Sequence, residues 1–280
     1  MTIRPLCSED RFAAMGLWQE VFHDTLPFAT FFFTYRFAPT LSFGAFDDGR
    51  LVSMSLSRPV VTGIPTLKAV MISGVSTLPE YRRRGLMTET LTQLLQNAKE
   101  QSFDLALLSP AIPDLYVPFG FVPLTYAMRT EETAATPDEL QLITETPDPI
   151  RHLVIYLACA RSHPLMLLRN QKQFQLAMQE YKADGGRTIR TIDGNGYLCF
   201  LPGENGVEVT ECFAASPAHY RLLLRAAAAF SPSKTVSADL PVDCGLPGTL
   251  IRPVHGFALK SNVPLDRIAK LRKTYIVEHY

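Results

Sequence analysis

The chain has 280 residues with 27 Lys plus Arg against 27 Asp plus Glu, so its formal charge is zero. That balance excludes a polyanion binder held by general electrostatics, and nucleic acid is not expected as a partner. Apolar residues make up 47% and charged residues 19%, which excludes extensive disorder. At roughly 150 residues per domain the length leaves room for two cores. The opening MTIRPLCSED holds no apolar signal-peptide region, and no apolar run reaches the roughly 18 residues of a membrane span. Cys7, Cys159, Cys199, Cys212 and Cys244 are far apart and form no CxxC pair, so neither a disulfide framework nor a zinc site is indicated. A reduced, cytoplasmic protein without membrane contact is the expectation.

In chain order, a first helix leads to the aromatic segment Phe28 to Phe37. Its six rings are more often core than an acceptor pocket. Two apolar runs flank Asp47-Asp48-Gly49, a hairpin turn signal, and a third run over 68–77 extends the meander. Met87, Leu91, Leu94, Leu95 and Ala98 recur at helical spacing, with Thr88, Glu89, Thr92, Gln93, Gln96 and Lys99 on the polar side. The short apolar run 103–108 then reads as a buried strand beside the one ending at Thr77.

Acids, threonines and prolines crowd residues 130–149, which places a domain junction near residue 135 and predicts domains 1–134 and 135–280. The second half shows helices over 153–161 and 171–181, a meander over 188–192, 197–201 and 207–213, a helix over 217–230 and a strand over 235–240. The element order repeats, so the expected class is α/β with two similar halves, each a mixed, mainly antiparallel central sheet flanked by helices.

Chemistry concentrates at Val75-Ser76-Thr77-Leu78-Pro79-Glu80-Tyr81-Arg82-Arg83-Arg84-Gly85-Leu86-Met87-Thr88. A strand ends, a basic loop with one glycine follows, and a helix begins. Unpaired N–H groups and the positive end of the helix dipole suit a pyrophosphate, and a glycine lets the backbone approach it closely. A solvated charge run is the bland alternative for three arginines, but the strand, glycine and helix around them favour phosphate binding.

Arg82-Arg83-Arg84-Gly85-Leu86-Met87 resembles the acetyl-CoA signature Arg/Gln-x-x-Gly-x-Gly/Ala of the GNAT acetyltransferase superfamily, with Met87 where a small residue is usual. More narrowly, Pro79 to Leu86 followed by Tyr116-Val117-Pro118-Phe119-Gly120-Phe121 is similar to the enhanced-intracellular-survival type. The resemblance is strong over residues 1 to about 130 and holds only in outline beyond. It implies two GNAT-like halves, the first binding acetyl-CoA as co-substrate and the second shaping the acceptor cleft. It implies that Val75, Ser76 and Thr77 pair with the pantetheine amides, that Arg83, Arg84, Gly85, Leu86, Met87 and Thr88 cradle the pyrophosphate, and that Ala111 and Ile112 border the CoA arm. Tyr116 would protonate the departing thiolate; a phenol of ordinary pKa near 10 is protonated at pH 7 and can serve.

Longer relatives take their base from the end of a third, sterol-carrier-like domain, and this chain is too short to hold one. The base therefore stays open among the Tyr280 carboxylate, Glu20, His23, Asp24 and water. No cysteine is positioned by motif as an acyl carrier, so direct attack by a primary amine of a small molecule or peptide is expected, with no metal. A homo-oligomer is compatible with this reading, and a non-catalytic acyl-CoA sensor is the alternative.

Overall fold

Asp48 and Gly49 take φ values of 46° and 83°, so the predicted turn is a two-residue hairpin of the type whose twist matches its strands. The computed structural model describes residues 1–63, 65–271 and 273–276. The first half runs β1 (Thr2–Pro5), α1 (Arg11–Phe22), α2 (Leu26–Tyr35), β2 (Phe43–Asp47), β3 (Arg50–Val61), β4 (Lys68–Thr77), α3 (Leu86–Glu100), β5 (Leu105–Leu108) and β6 (Val122–Pro123). The chain continues with β7 (Ala127–Thr133), α4 (Pro137–Leu140), β8 (Ile143–Thr144), α5 (Pro149–Ser162), α6 (Gln171–Ala183), β9 (Arg187–Thr191), β10 (Gly196–Gly203) and β11 (Gly206–Ala214). It closes with α7 (Pro217–Ala228), β12 (Thr235–Leu240), β13 (Thr249–Ile251), β14 (His255–Ala258) and α8 (Leu265–Ile268).

Two seven-stranded sheets result, ordered β1-β2-β3-β4-β5-β14-β6 and β8-β9-β10-β11-β12-β7-β13. Each contains one parallel pair, β4 with β5 and β11 with β12, joined through a crossover helix, α3 or α7; the other pairs are antiparallel. The repeated element order read from the sequence is thus a repeated topology. The sixth place of each sheet is filled from the other half: β14 lies beside β5, and β7 lies beside β12. The expected junction near residue 135 falls just after β7, and these two strands cross it in opposite directions.

The apolar stripe of α3 (Leu91, Leu94, Leu95, Ala98) packs on Val70, Ile72, Ala106 and Leu108, as the helical spacing requires. On the opposite face, Trp18 of α1 and Phe28, Phe32 and Phe33 of α2 pack with Met54 and Leu56. Most of the aromatic segment is therefore core, while Tyr35 stays 60% exposed. Further along that face, Ala69, Met71, Leu105 and Leu107 meet Leu165, Leu167, Val254 and Ile268 from the second half. Docking of the halves thus buries the same sheet that carries the candidate site.

Candidate active site

β4 pairs with β5 only at Ala69–Leu105, Val70–Ala106 and Met71–Leu107. Beyond Met71 the β5-facing backbone groups of β4 have no ladder partner among the described residues, which is an opening for another extended chain with amide groups. Register on the other side explains the divergence. β3 advances two residues from Met54 to Leu56 while β4 shifts three, from Ser76 to Ser73, so β4 bulges at Gly74–Val75. Gly74 sits at φ 55°, and a Cβ there would collide with the Trp18 ring. The sequence reading passed over this residue, although a lone glycine inside a strand pattern is a bulge signal.

Val75 is half-buried and Ser76 5% exposed. The Ser53 hydroxyl donates to the Ser76 carbonyl at 2.9 Å and meets the Thr77 hydroxyl at 2.7 Å, which ties the end of β4 to β3. The chain then turns through the basic loop into α3. Gly85 is the N-cap residue at φ 79°, and no side chain among the described residues caps the helix. α7, the corresponding helix of the second half, is closed: the Ser216 side chain accepts from the His219 N–H and Pro217 supplies no donor. Only the first of the two crossover helices therefore presents an uncapped N-terminus where an anion is favoured.

Two of the arginines brace this loop. Arg82 Nε donates to the Thr77 carbonyl at 3.1 Å, and Arg84 Nη2 donates to the Glu80 carbonyl at 2.9 Å while lying over the Tyr81 ring. Tyr81 in turn donates to Asp47 at 2.8 Å. Arg83, exposed at φ 62°, makes no side-chain hydrogen bond or ion pair among the described residues. Leu86 is 5% exposed and packs in the α1–α2 core, and Met87 packs half-buried against the cluster that also holds Val75. Thr88 is exposed and lines a cavity of about 600 Å³ with Arg84, Thr92 and Gln93.

Ala111 and Ile112 are exposed beyond β5, Ile112 at 59%. Tyr116 lies between two short 3-10 turns, Pro113–Leu115 and Val117–Phe119. Its ring stands edge-on to Phe121 at 6.1 Å and joins the apolar cluster that holds Val75, Met87 and Phe119. The hydroxyl has no hydrogen-bond partner among the described residues, and burial raises its pKa above the ordinary value of 10. It is a protonated donor at neutral pH.

The open question of the base gains geometry. Glu20 is exposed, and His23 is exposed at the left-handed C-cap of α1 with φ 59°. Asp24 accepts the Trp18 Nε1–H at 2.7 Å. Tyr280 lies outside the described residues. Among the described residues no group of three His, Cys, Asp or Glu is arranged to hold a metal, and no helix is long and apolar enough to cross a membrane.

Residues 2–124 match the family model described as an acetyltransferase (GNAT) domain. Two curated relatives are named as uncharacterized N-acetyltransferases. One, from Streptomyces avermitilis, is 36% identical over 102 residues, covering 35% of this chain and 24% of the relative. The other, from Streptomyces griseus, is 37% identical over 86 residues, covering 30% and 21%. The matched region thus spans about a quarter of those relatives' length or less.

Among solved structures, Eis1 from Mycobacterium abscessus superposes with a TM-score of 0.65 at 17% identity, covering 93% of this chain and 74% of its own. A probable N-acyltransferase from Enterococcus faecalis gives 0.68 at 14%, covering 92% and 72%, and a putative acetyltransferase from Pyrococcus horikoshii gives 0.60 at 14%, covering 95% and 92%. At these identities the likeness establishes the fold: two GNAT-like halves. The match to the GNAT family model is confined to residues 2–124.

Proposed function

We propose that the protein is an N-acetyltransferase that moves the acetyl group of acetyl-CoA to a primary amine by direct attack. One observation carries this reading. The unpaired edge of β4 runs directly into an uncapped, glycine-entered helix, so amide-pairing and phosphate-holding backbone stand in series along one side of the sheet. That series fits the pantetheine and pyrophosphate of CoA, and Val75, Ser76, Thr77, Arg83, Arg84, Gly85, Leu86, Met87 and Thr88 supply it, with Ala111 and Ile112 bordering the arm.

Bound acetyl-CoA supplies an activated acyl carbon and a thiolate leaving group. As the amine nitrogen bonds to that carbon and the C–S bond breaks, the Tyr116 O–H gives its proton to the sulfur. Such general acid catalysis is worth roughly 10² to 10⁴ in rate. The amine proton leaves through water or one of Glu20, His23, Asp24 and the Tyr280 carboxylate. Residues 1–134 hold the co-substrate and residues 135–280 shape the acceptor cleft.

A thermal melt with and without acetyl-CoA, alongside a CoA-release assay on a panel of amines, tests this. At about 100 times the dissociation constant, binding adds roughly 2.7 kcal/mol to stability. An upward shift with turnover supports the proposal. A shift without turnover on any amine makes the protein an acyl-CoA sensor, and no shift removes both readings.

A further inference from the structure

The loop that carries Tyr116 leaves the first sheet at Leu108 of β5 and returns to it at Val122–Pro123 of β6. Between these two strands lies β14, and one of its residues stands opposite both feet of the loop: His255 faces Leu108 on one side and Pro123 on the other. The segment leading into β14 ties the feet down. Ser109 Oγ donates to the Pro253 carbonyl at 3.2 Å, and Arg252 Nη2 donates to the Pro123 carbonyl. Residues 109–121 thus span the position of His255, which comes from the far end of the chain.

Side-chain direction puts the imidazole on the side of Tyr116. Directly opposed residues of antiparallel strands share a face, as do residues two apart along a strand. Leu108, opposite His255, and Phe257, two residues on, both pack in the cluster that holds Tyr116, Val75 and Met87. The Phe257 ring lies 5.6 Å from Phe121, whose ring lies 6.1 Å from Tyr116. His255 is 5% exposed, and its Nδ1 is buried with no hydrogen-bond partner among the described residues. A polar atom buried in that way is destabilising unless something meets it. Burial, together with the nearby Arg252, lowers the His255 pKa, so the ring is neutral at pH 7 and carries one N–H.

We infer that His255 is a positioning residue for Tyr116: with acetyl-CoA bound, its Nδ1–H donates to the Tyr116 oxygen, directly or through one water, and aims the phenol O–H at the sulfur. As the phenol proton passes to the departing thiolate, negative charge builds on the Tyr116 oxygen. Burial disfavours that charge, and an N–H pointing at it offsets part of the penalty. The inference rests on the acetyltransferase reading for the reaction, but not for the contact itself.

The test uses the full chain. CoA release is read with acetyl-CoA and the amine of the panel that turns over fastest, for wild type, His255→Leu, His255→Asn, Tyr116→Phe and the double variant of His255→Leu with Tyr116→Phe. His255→Leu should lower kcat about ten- to a hundredfold, the range for losing one hydrogen bond to a charged group, and keep the acetyl-CoA KM and melting shift. His255→Asn, which keeps a side-chain N–H, should recover part of that loss. In the Tyr116→Phe background His255→Leu should have no further effect. A wild-type kcat in His255→Leu would overturn the proposal, as would an equal loss with and without the Tyr116 hydroxyl, which marks a merely structural role. Long-range ¹⁵N–¹H spectra of the imidazole with CoA bound need no His255 variant, should one fail to fold. They should show the Nδ1-protonated tautomer, with an Nδ1 resonance that moves on Tyr116→Phe. The other tautomer, or a resonance indifferent to Tyr116→Phe, would overturn the contact. An Nδ1 resonance that responds to Tyr116→Phe in a protein that acetylates no amine would overturn the transferase reading and leave the contact standing, and no binding of CoA would overturn both.

Discussion

His255 of β14 lies directly opposite Leu108 of β5 in antiparallel register, so the strand that bears the end of the candidate site is flanked by a strand from the last quarter of the chain. The same insertion places Gly256 opposite Leu107 and Phe257 opposite Ala106, and the Phe257 ring lies tilted against Phe121 with ring centroids 5.6 Å apart.

A fragment of residues 1–134 should therefore not fold by itself. It would expose the β5 edge, lose the Phe257 contact and leave Ala69, Met71, Leu105 and Leu107 without Leu165, Leu167 and Val254. Near-ultraviolet circular dichroism and amide dispersion of the isolated fragment check this: a native-like spectrum would show that β14 is dispensable.

Gly85→Ala should weaken acetyl-CoA binding more than it weakens the fold. A Cβ at Gly85 meets only Glu89 Oε1, at 4.0 Å, so the neighbours do not object. The φ of 79° does, at roughly 1 kcal/mol for a non-glycine residue. The methyl would also stand where the proposed function brings the backbone against the phosphates. Calorimetric titration should show at least a tenfold rise in Kd, with a melting temperature only a few degrees lower. Unchanged Kd would move the phosphate site elsewhere.

Local pattern carried much of the fold into the sequence. The hairpin at Asp48-Gly49, the α3 stripe and the second-half meander each rest on interactions within a few residues, and the structure places them within a few residues of their expected bounds. The basic loop stands out in the sequence because the phosphate chemistry proposed for it needs consecutive residues, and Tyr116 because it falls in a motif. What stayed hidden is held together at long range. Arg36 and Glu180 are 144 positions apart, and nothing local marks His255 as a first-sheet residue. Arg58 sits mid-strand in β3, where alternation alone does not reveal that it lines a cavity together with Arg36 and Arg169 from other elements.

Tyr116→Phe should lower kcat by roughly 10² to 10³ and leave the acetyl-CoA melting shift unchanged, because the ring's packing on Phe121 needs no hydroxyl. Since burial raises the phenol's pKa, the wild-type kcat should not lose its acid below pH 10, and any fall with pH in the neutral range belongs to another group. A variant with wild-type kcat would remove Tyr116 from the chemistry.

Asp184→Asn should stabilise the protein at pH 7.5. Burial, with Asp24, Glu208 and Glu180 nearby, raises the Asp184 pKa to about 6. Between the ordinary 3.8 and that value the folded state holds more protons than the unfolded one, so stability from this group is present at low pH and is lost as pH rises through about 6. The amide removes the ionised form's penalty, by up to about 1 kcal/mol after solvent screening. Urea midpoints of both proteins should diverge at pH 7.5 and converge near pH 4; a variant no more stable at either pH would show that Asp184 is relaxed by solvent.

Glu211→Ala should be the most damaging of these changes. The carboxylate is fully buried and receives Arg169 at 2.6 Å, the Tyr181 hydroxyl at 3.0 Å and the Tyr197 hydroxyl. Removing it takes one buried acceptor from a guanidinium and two hydroxyls, a loss of about 3 to 5 kcal/mol where one partner of a buried pair is deleted. Glu211→Gln keeps an acceptor oxygen but no charge, so it should give back one hydroxyl's hydrogen bond and lose the charge attraction to Arg169, with an intermediate loss. Chemical denaturation of the three proteins separates these contributions. A Glu211→Ala loss below about 1 kcal/mol would mean that the groups around Glu211 reorganise onto other partners.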